Sequence, residues 1–315
     1  MGEPRGVVPA WAAHVTASVD AGRHACYWQA DAWDADWKTS CLLDQGLQDT
    51  DLNRGGEYKM TADEGTRTVM VQEAIQRALT ALRERFATGW MQDRVPFVPR
   101  IVGVDCGGTA DKFAWYEVVL RFCAGVPYWV PLKGSGWSER TADRALARNW
   151  ICEEKGNPGR RHDCNADHFK TLAFNALAAP VWHVSAAPPS PGAPSTHSVR
   201  GVGGEGAALF SGTRILHKDV PREYCRQMTS EKWVEVLSGK LETPSGKELK
   251  VGWNHVTSIP NHWWDTNWMA FAVADIARTS GLSSARDKPQ PGYTPREPAG
   301  GAGRHIHGSR WKIGR

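Results

Sequence analysis

Along the first half of the chain, apolar and polar positions alternate in short runs and then settle into a rhythm of three and four. His14–Asp20 (HVTASVD) alternates small or apolar with polar residues and ends on a carboxylate. His24–Trp33 is rich in aromatic and small residues, and Trp37–Leu43 (WKTSCLL) is a third run, with short connections at Ala21–Arg23 and Asp34–Asp36. Such runs joined by tight turns predict an antiparallel meander. Val71, Ile75, Ala78, Leu79, Leu82 and Phe86 then recur at helical spacing, with Gly89 as a stop. Pro99–Asp105 (PRIVGVD) reads as a buried strand, again closing on an aspartate. Gly107 and Gly108 turn the chain into a helix over Lys112–Cys123. Pro127–Leu132 reads as a strand that Pro131 places near an edge or a strand end. Further on, the pattern predicts helices over Ala166–Ala178, Met228–Leu237 and Asn261–Arg278, and a hairpin over Leu241–Val256 turning at Pro244–Gly246.

Three strands, helix, strand, helix, strand is the order of an RNase H-like α/β fold, a mixed sheet in which an antiparallel meander is extended by parallel strands through helical crossovers. Residues 1–283 are expected to form this domain, with the Pro/Gly/Ser-rich stretch 186–206 as a flexible insertion. The basic, low-complexity segment 284–315 is expected to be a disordered tail.

Composition narrows the classes. Apolar residues make up 41% and charged residues 23%, as in a globular protein, and the formal charge of +4 permits nucleic-acid binding without arguing for it. Seven cysteines without a repeating spacing do not make a secreted disulfide framework, and no apolar run reaches the roughly 18 residues of a membrane span. The expectation is a reducing cytoplasm. Sixteen tryptophans suit heavy packing and leave rings for a ligand.

Three aspartates stand out by position. Asp20 ends the first strand, Asp105 ends the fourth, and Asp265 opens the last helix. In an RNase H-like sheet the first and fourth strands are neighbours, so Asp20 and Asp105 would lie side by side. Carboxylates so placed repel one another unless a hard cation sits between them, and Mg²⁺ takes oxygen ligands of this kind. A two-metal site of this type hydrolyses phosphodiesters. Taken singly, an aspartate in such a place is more often a solvated turn residue or a helix cap.

Two segments carry a family resemblance: IVGVDCGGTADKFAWYEVV (101–119) and VPLKGSG (130–136). They resemble the nuclease half of GpA-like large terminase subunits of lambda-like phages, in which a D-x-G-G strand end leads through a helix to a strand ending in KG. SVDAGRHACYWQADAW (18–33) is similar to that family's opening strands. TSEKWVEVL (229–237), Trp253 and NHWWDTNWMAFAVADIA (261–277) are similar to its closing T-x-E helix, tryptophan and asparagine-led helix. The resemblance runs over residues 14–280. It implies a metal-dependent endonuclease that cuts concatemeric double-stranded DNA during packaging, in the cytoplasm of an infected bacterium. It also implies that Asp20, Asp105 and Asp265 bind Mg²⁺ or Mn²⁺, two ions being expected. Lys133, on the KG position, would contact the scissile phosphate, or is a surface lysine at a strand end. Implied partners are a small terminase subunit, a packaging ATPase and a portal.

Two departures bear on this. The family often carries glutamate after the closing asparagine, where this chain has His262; if that glutamate binds metal or orients water, the expectation is a weaker enzyme or one that prefers Mn²⁺ to Mg²⁺. The chain also has no G-x-x-x-x-G-K-[ST] loop, GVGGEGAALFSGT (201–213) lacking the Lys-Ser/Thr pair. The expectation is a motor on a separate polypeptide, or a truncated or remnant gene product.

Other signals compete. Cys152, His162, Cys164 and His168 could be proposed as a zinc site, but without the C-x-x-C spacing of a knuckle or finger the better reading is a basic loop leading into a helix. Arg160 and Arg161 in that loop, with Arg304, Arg310, Lys312 and Arg315 of the tail, are candidate backbone contacts to DNA or plain surface charge. Trp263 and Trp264 flank Asp265 and fit core packing or base stacking, and Cys106 fits a small core residue. Two alternatives to the packaging nuclease stand: a catalytically silent RNase H-like DNA-binding or assembly module, and another RNase H-like nuclease such as a junction resolvase.

Overall fold

The computed structural model describes residues 2–52, 56–60, 63–107, 112–135, 150–153, 161–178, 212–234, 252–255 and 257–279. The meander is β1 (His14–Ala21), β2 (Ala25–Trp33) and β3 (Ser40–Asp49). After a short helix α1 (Glu57–Met60), the long α2 (Glu64–Thr88) crosses to a small hairpin, β4 (Trp90–Gln92) with β5 (Val95–Phe97), and then to β6 (Val102–Asp105). The chain continues through α3 (Lys112–Gly125), β7 (Trp129–Ser135), β8 (Trp150–Glu153), β9 (Arg161–Asn165) and α4 (Ala166–Ala178). It closes with β10 (Arg214–Ile215), α5 (Arg222–Gln227), the β11 (Glu231–Val234) and β12 (Gly252–His255) pair, and α6 (His262–Thr279).

The central sheet runs β10-β3-β2-β1-β6-β7-β9-β8. β1–β2–β3 is antiparallel, β1, β6, β7 and β9 are mutually parallel, and β8 returns antiparallel to β9. This is the mixed sheet of an RNase H-like fold, flanked by helices.

Alternation along β1 divides the core. Val15, Ala17, Val19 and Ala21 pack with Val71, Ile75, Leu79 and Phe86 of α2 and with Val118 and Phe122 of α3. The even positions face the other way, where Trp33, Leu132, Phe169 and α6 form a second core. Helix α6 is buried on nearly every side from Trp264 to Ala277, which explains its almost continuous apolar sequence. Gly103 on β6 exists for this packing, since a Cβ there would stand 2.4 Å from Val273. Helix α2 begins where the Asp63 carboxylate accepts from Thr66 N and ends at Gly89, whose φ of 66° lies in the left-handed region.

Several expectations need correction. The third strand starts later and runs longer than Trp37–Leu43, because the Asp34 carboxylate accepts from the backbone of Lys38 and Thr39 and holds the turn, with Trp37 at φ 61°. Pro131 is not at a sheet edge, for β7 lies between β6 and β9. Tyr128 and Leu132 give their carbonyls to β6, so Pro131 turns its nitrogen to the other side, where pairing with β9 begins only at Leu132↔His162. The segment from Met228 is not helical. The Thr229 and Ser230 hydroxyls donate back to Arg226 and Gln227 carbonyls, the helix ends, and Glu231–Val234 becomes a strand. Its partner is Gly252–His255, while the expected turn at Pro244–Gly246 lies outside the described residues. The supposed loop before α4 is partly strand, β8 and β9. The insertion 186–206 and the tail 284–315 also lie outside the described residues.

Candidate active site

The pairing of Val19 with Val104 sets Asp20 beside Asp105 at the carboxyl ends of adjacent parallel strands. Both project toward α6, as Ser18 does when its hydroxyl donates to Thr266 O at 2.9 Å. That bond, with a second from Thr266 Oγ1 to Gln29, fastens the first turns of α6 over the strand ends and brings Asp265 to the same place.

Each carboxylate has its own local support. Asp105 Oδ1 accepts from Gly107 N at 3.0 Å, and Lys133 Nζ rises over that turn. A Cβ on Gly107 would lie 2.8 Å from Lys133 Nζ and 3.2 Å from Asp105 Oδ1, so the glycine keeps the two groups close. Asp265 Oδ1 accepts from Trp268 Nε1 at 3.1 Å. Asp20 Oδ2 lies 2.7 Å from His262 Nδ1, and the imidazole stacks on Tyr27 with centroids 4.3 Å apart. The side chains of Asp20 and Asp265 keep 13% and 28% exposure, enough for solvent and ions to reach them.

The electrostatics show mutual repulsion. Desolvation, then the charges of Asp20 and Asp265, push the Asp105 carboxyl up to about 8, against the pull of Gly107 N–H and Lys133. Asp265 is pushed up to about 7 by desolvation, with Glu231 and Asp20 adding to it and Lys170 and Trp268 opposing. His262 is raised above the ordinary imidazole value, chiefly by its hydrogen bond to Asp20. Two carboxyl groups pushed toward the neutral form beside a third suit a hard divalent cation. Among the described residues no three His, Cys, Asp or Glu side chains are gathered closely enough to grip a metal ion as they stand.

Sequence reasoning missed a second layer. Lys170 of α4 donates to both oxygens of Glu231, at 2.7 and 2.9 Å, and lies 3.7 Å from Asp265 Oδ1. Asn261 Nδ2 holds Glu231 Oε1 at 3.0 Å. The signal was present: Lys170 sits at the spacing of the buried Ala166 and Ala173, a charge on an apolar stripe.

Other candidates resolve differently. Arg160 lies outside the described residues. Arg161 opens β9 with its guanidinium on Asp163 at 2.7 Å. Trp264 is fully buried and Trp263 packs against Tyr27 and Tyr224. Cys164 is a core residue and His168 packs edge-on to Phe169, so the zinc reading finds no support among the described residues. Burial pushes the Cys106 thiol well up, as befits a core residue rather than a nucleophile.

The family model for the endonuclease domain of terminase large subunit gpA matches residues 2–286. The chain belongs to this family. Its members' role is nucleolytic, in phage DNA packaging, which implies DNA and packaging partners in general terms. Comparison with curated proteins and with solved structures gives no match. Within this gpA-type endonuclease domain the D-x-G and K-G motifs acquire a physical meaning: Gly107 lets Lys133 approach Asp105, and Gly134 makes room for Trp268. No helix among the described residues is long and apolar enough to cross a membrane.

Proposed function

We propose that this terminase domain is a metal-dependent endonuclease that hydrolyses phosphodiesters in concatemeric double-stranded viral DNA. The observation that carries the reading is the convergence of Asp20, Asp105 and Asp265 at the strand ends, where repulsion and desolvation drive two of them toward the protonated form. These three would hold Mg²⁺ or Mn²⁺. When bound, such ions supply an activated water and offset charge on the phosphate and the leaving 3′ oxygen. The chain's own residues supply position. Gly107 N–H orients Asp105, Trp268 orients Asp265, and His262 orients Asp20. Lys133 would meet a phosphate, and Arg161, with Arg160, would add salt-sensitive backbone contacts. Site choice and translocation fall to a small terminase subunit, a packaging ATPase and a portal, in the cytoplasm of the infected host.

The test is cleavage of supercoiled plasmid with Mg²⁺, Mn²⁺ or EDTA, wild type beside Asp105→Ala. Metal-dependent nicking or linearisation that the variant lacks is the expected result. A second reading, a silent DNA-binding or assembly module, draws on the His262–Asp20 hydrogen bond, which already engages one of the three carboxylates. Folded wild type that binds DNA and cuts it under neither metal would select that reading. Preference for branched over linear duplex would select a junction resolvase instead.

A further inference from the structure

Lys133 approaches the site from the far side of the sheet. Leu132 before it, and Cys164 on the neighbouring strand, both lie in the core against α6. Successive residues of a strand point to opposite faces, so Lys133 and Asp163 leave β7 and β9 on the other face, the one that packs on α2 and α3. The two are direct partners in the register, Lys133↔Asp163. Lys133 Nζ bends over Gly107 toward Asp105: a Cβ on that glycine would lie 2.8 Å from Nζ and 3.2 Å from Asp105 Oδ1.

Opposite charges side by side on adjacent strands attract one another. Here they do not pair. Among the described residues Lys133 makes no hydrogen bond or ion pair. Asp163 Oδ1 is buried without a hydrogen-bond partner, while Oδ2 accepts from Arg161 Nη2 at 2.7 Å. We infer that Arg161 is a positioning residue for Lys133: its guanidinium holds Asp163, which would otherwise draw the ammonium onto β9 and away from the scissile phosphate.

Arg161 and Asp163 lie two residues apart on one strand, hence on one face, with side chains 16% and 23% exposed. At that depth a carboxylate stripped of its cation draws in another, and the register makes that Lys133. Asp163 has an oxygen to spare for it. A guanidinium is the better permanent partner, being always charged and less strongly hydrated than an ammonium. The Cys106 thiol marks where these groups meet. Burial pushes it up, and the charges of Asp105, Arg161, Lys133 and Asp163 all act on it. Asp105 and Asp163 thus compete for one ammonium, and Arg161 settles the competition in favour of the site. The inference rests on the reading of Lys133 as the phosphate contact, and it gives Arg161 this task in place of a contact to DNA.

The experiment combines plasmid cleavage in Mg²⁺ or Mn²⁺ with acetylation of Lys133 by acetic anhydride, followed by mass spectrometry, on the full chain. Arg161→Met should slow both by about 10-fold or more, the shift in occupancy that a charge-assisted hydrogen bond produces. Asp163→Asn removes the competitor and should match wild type, and Arg161→Met with Asp163→Asn should recover both rates. Starting from Lys133→Met, Arg161→Met should cost no further cleavage. A DNA contact by Arg161 predicts the opposite, a loss that Asp163→Asn does not repair and that persists without Lys133. Either of those results, or Arg161→Met at wild-type rates, would overturn the inference. Arg161→Gln takes the place of Met if the Met variant does not fold, and is read in the same way. If wild type cuts under neither metal the nuclease reading falls, and the acetylation rates alone then decide whether Asp163 captures Lys133.

Discussion

Trp268 rests on Gly134. A Cβ at Gly134 would stand 2.9 Å from Trp268 Cζ2, and the indole N–H two bonds away on the same edge donates to Asp265 Oδ1. One glycine on β7 therefore sets where a carboxylate on α6 sits.

Gly134→Ala is expected to push the indole away from β7 and carry Asp265 with it. Overpacking of this size costs about 1–3 kcal/mol. Cleavage should fall further than stability explains, by about 10-fold or more, since outer partners of metal ligands are worth roughly 10–100-fold. Thermal melting beside plasmid cleavage at a temperature well below the melting point separates the two effects. An Ala variant that melts lower but cuts at the wild-type rate would break the link between Gly134 and Asp265.

How far this was legible beforehand depends on the kind of signal. Asp20, Asp105 and Asp265 were found because each sits at the end of an element, and strand ends and helix starts can be read from periodicity and turn residues. Lys170 and Glu231 were not found as a pair, since they are 61 residues apart and meet only through tertiary packing. The difference at 228–234 is one of register between competing patterns. TSEKWVEVL has helical composition, but two hydroxyls that bond back to the preceding turn stop the helix before it. Pro131 misled because the rule about edges concerns its missing donor, and in β7 that position faces a neighbour whose pairing has not yet begun.

His262 serves Asp20. Its Nδ1 lies 2.7 Å from Asp20 Oδ2 and Tyr27 holds the ring flat. His262→Ala should reduce cleavage about 10–100-fold, as loss of an outer partner does. His262→Gln, which keeps a donor, should retain most of it. The check is cleavage rate against Mg²⁺ concentration for all three proteins. Equal rates for Ala and wild type would show that the imidazole is a bystander.

Arg214 and Asp31 form an ion pair at 2.7 Å with neither side chain exposed. Gln29 joins it, donating to Asp31 Oδ2 and accepting from Tyr224 and Thr266, so the pair binds β10 and α5 to the helix that carries Asp265. Arg214→Met strands the Asp31 carboxylate and should cost about 3–5 kcal/mol. That is a melting temperature lower by about 10 °C, at roughly 2–4 °C per kcal/mol for a domain of this size. Arg214→Met with Asp31→Leu should recover part of the loss. A double variant less stable than the single one would mean that Asp31 supports the core without its arginine.

His14 is 5% exposed and stacks on Trp37 with centroids 4.3 Å apart. Burial, with a smaller push from Arg100, holds its imidazole down at about 4. The unfolded chain takes up that proton near 6.5, so between about 6.5 and 4 the unfolded state binds more protons than the folded one. This contribution to stability is intact above that window and is lost as pH falls through it. His14→Phe should flatten the slope, with a difference between the two proteins of about 2 kcal/mol from pH 7.5 to pH 5. Urea midpoints at the two pH values measure it. Parallel slopes in the two proteins would remove His14 from the acid response.

If the domain holds a metal as proposed, Asp105 ties that ion to the stability of the fold, and with the opposite sign. Its carboxyl is pushed up to about 8 by desolvation and by Asp20 and Asp265. Without metal, between about pH 4 and 8 the folded chain keeps a proton that the unfolded one has given up. Stability is then highest on the acid side and falls as pH rises toward 8. Asp105→Asn mimics the protonated group, so in EDTA at neutral pH it should melt at or above the wild-type temperature, and above pH 8 clearly higher. Metal reverses the comparison. Mg²⁺ at about 100 times its Kd should stabilise wild type by about 2.7 kcal/mol, while a variant that cannot bind it gains nothing. The two proteins should therefore exchange rank between EDTA and Mg²⁺. An Asn variant that gains as much from Mg²⁺ as wild type does would place the ion away from Asp105.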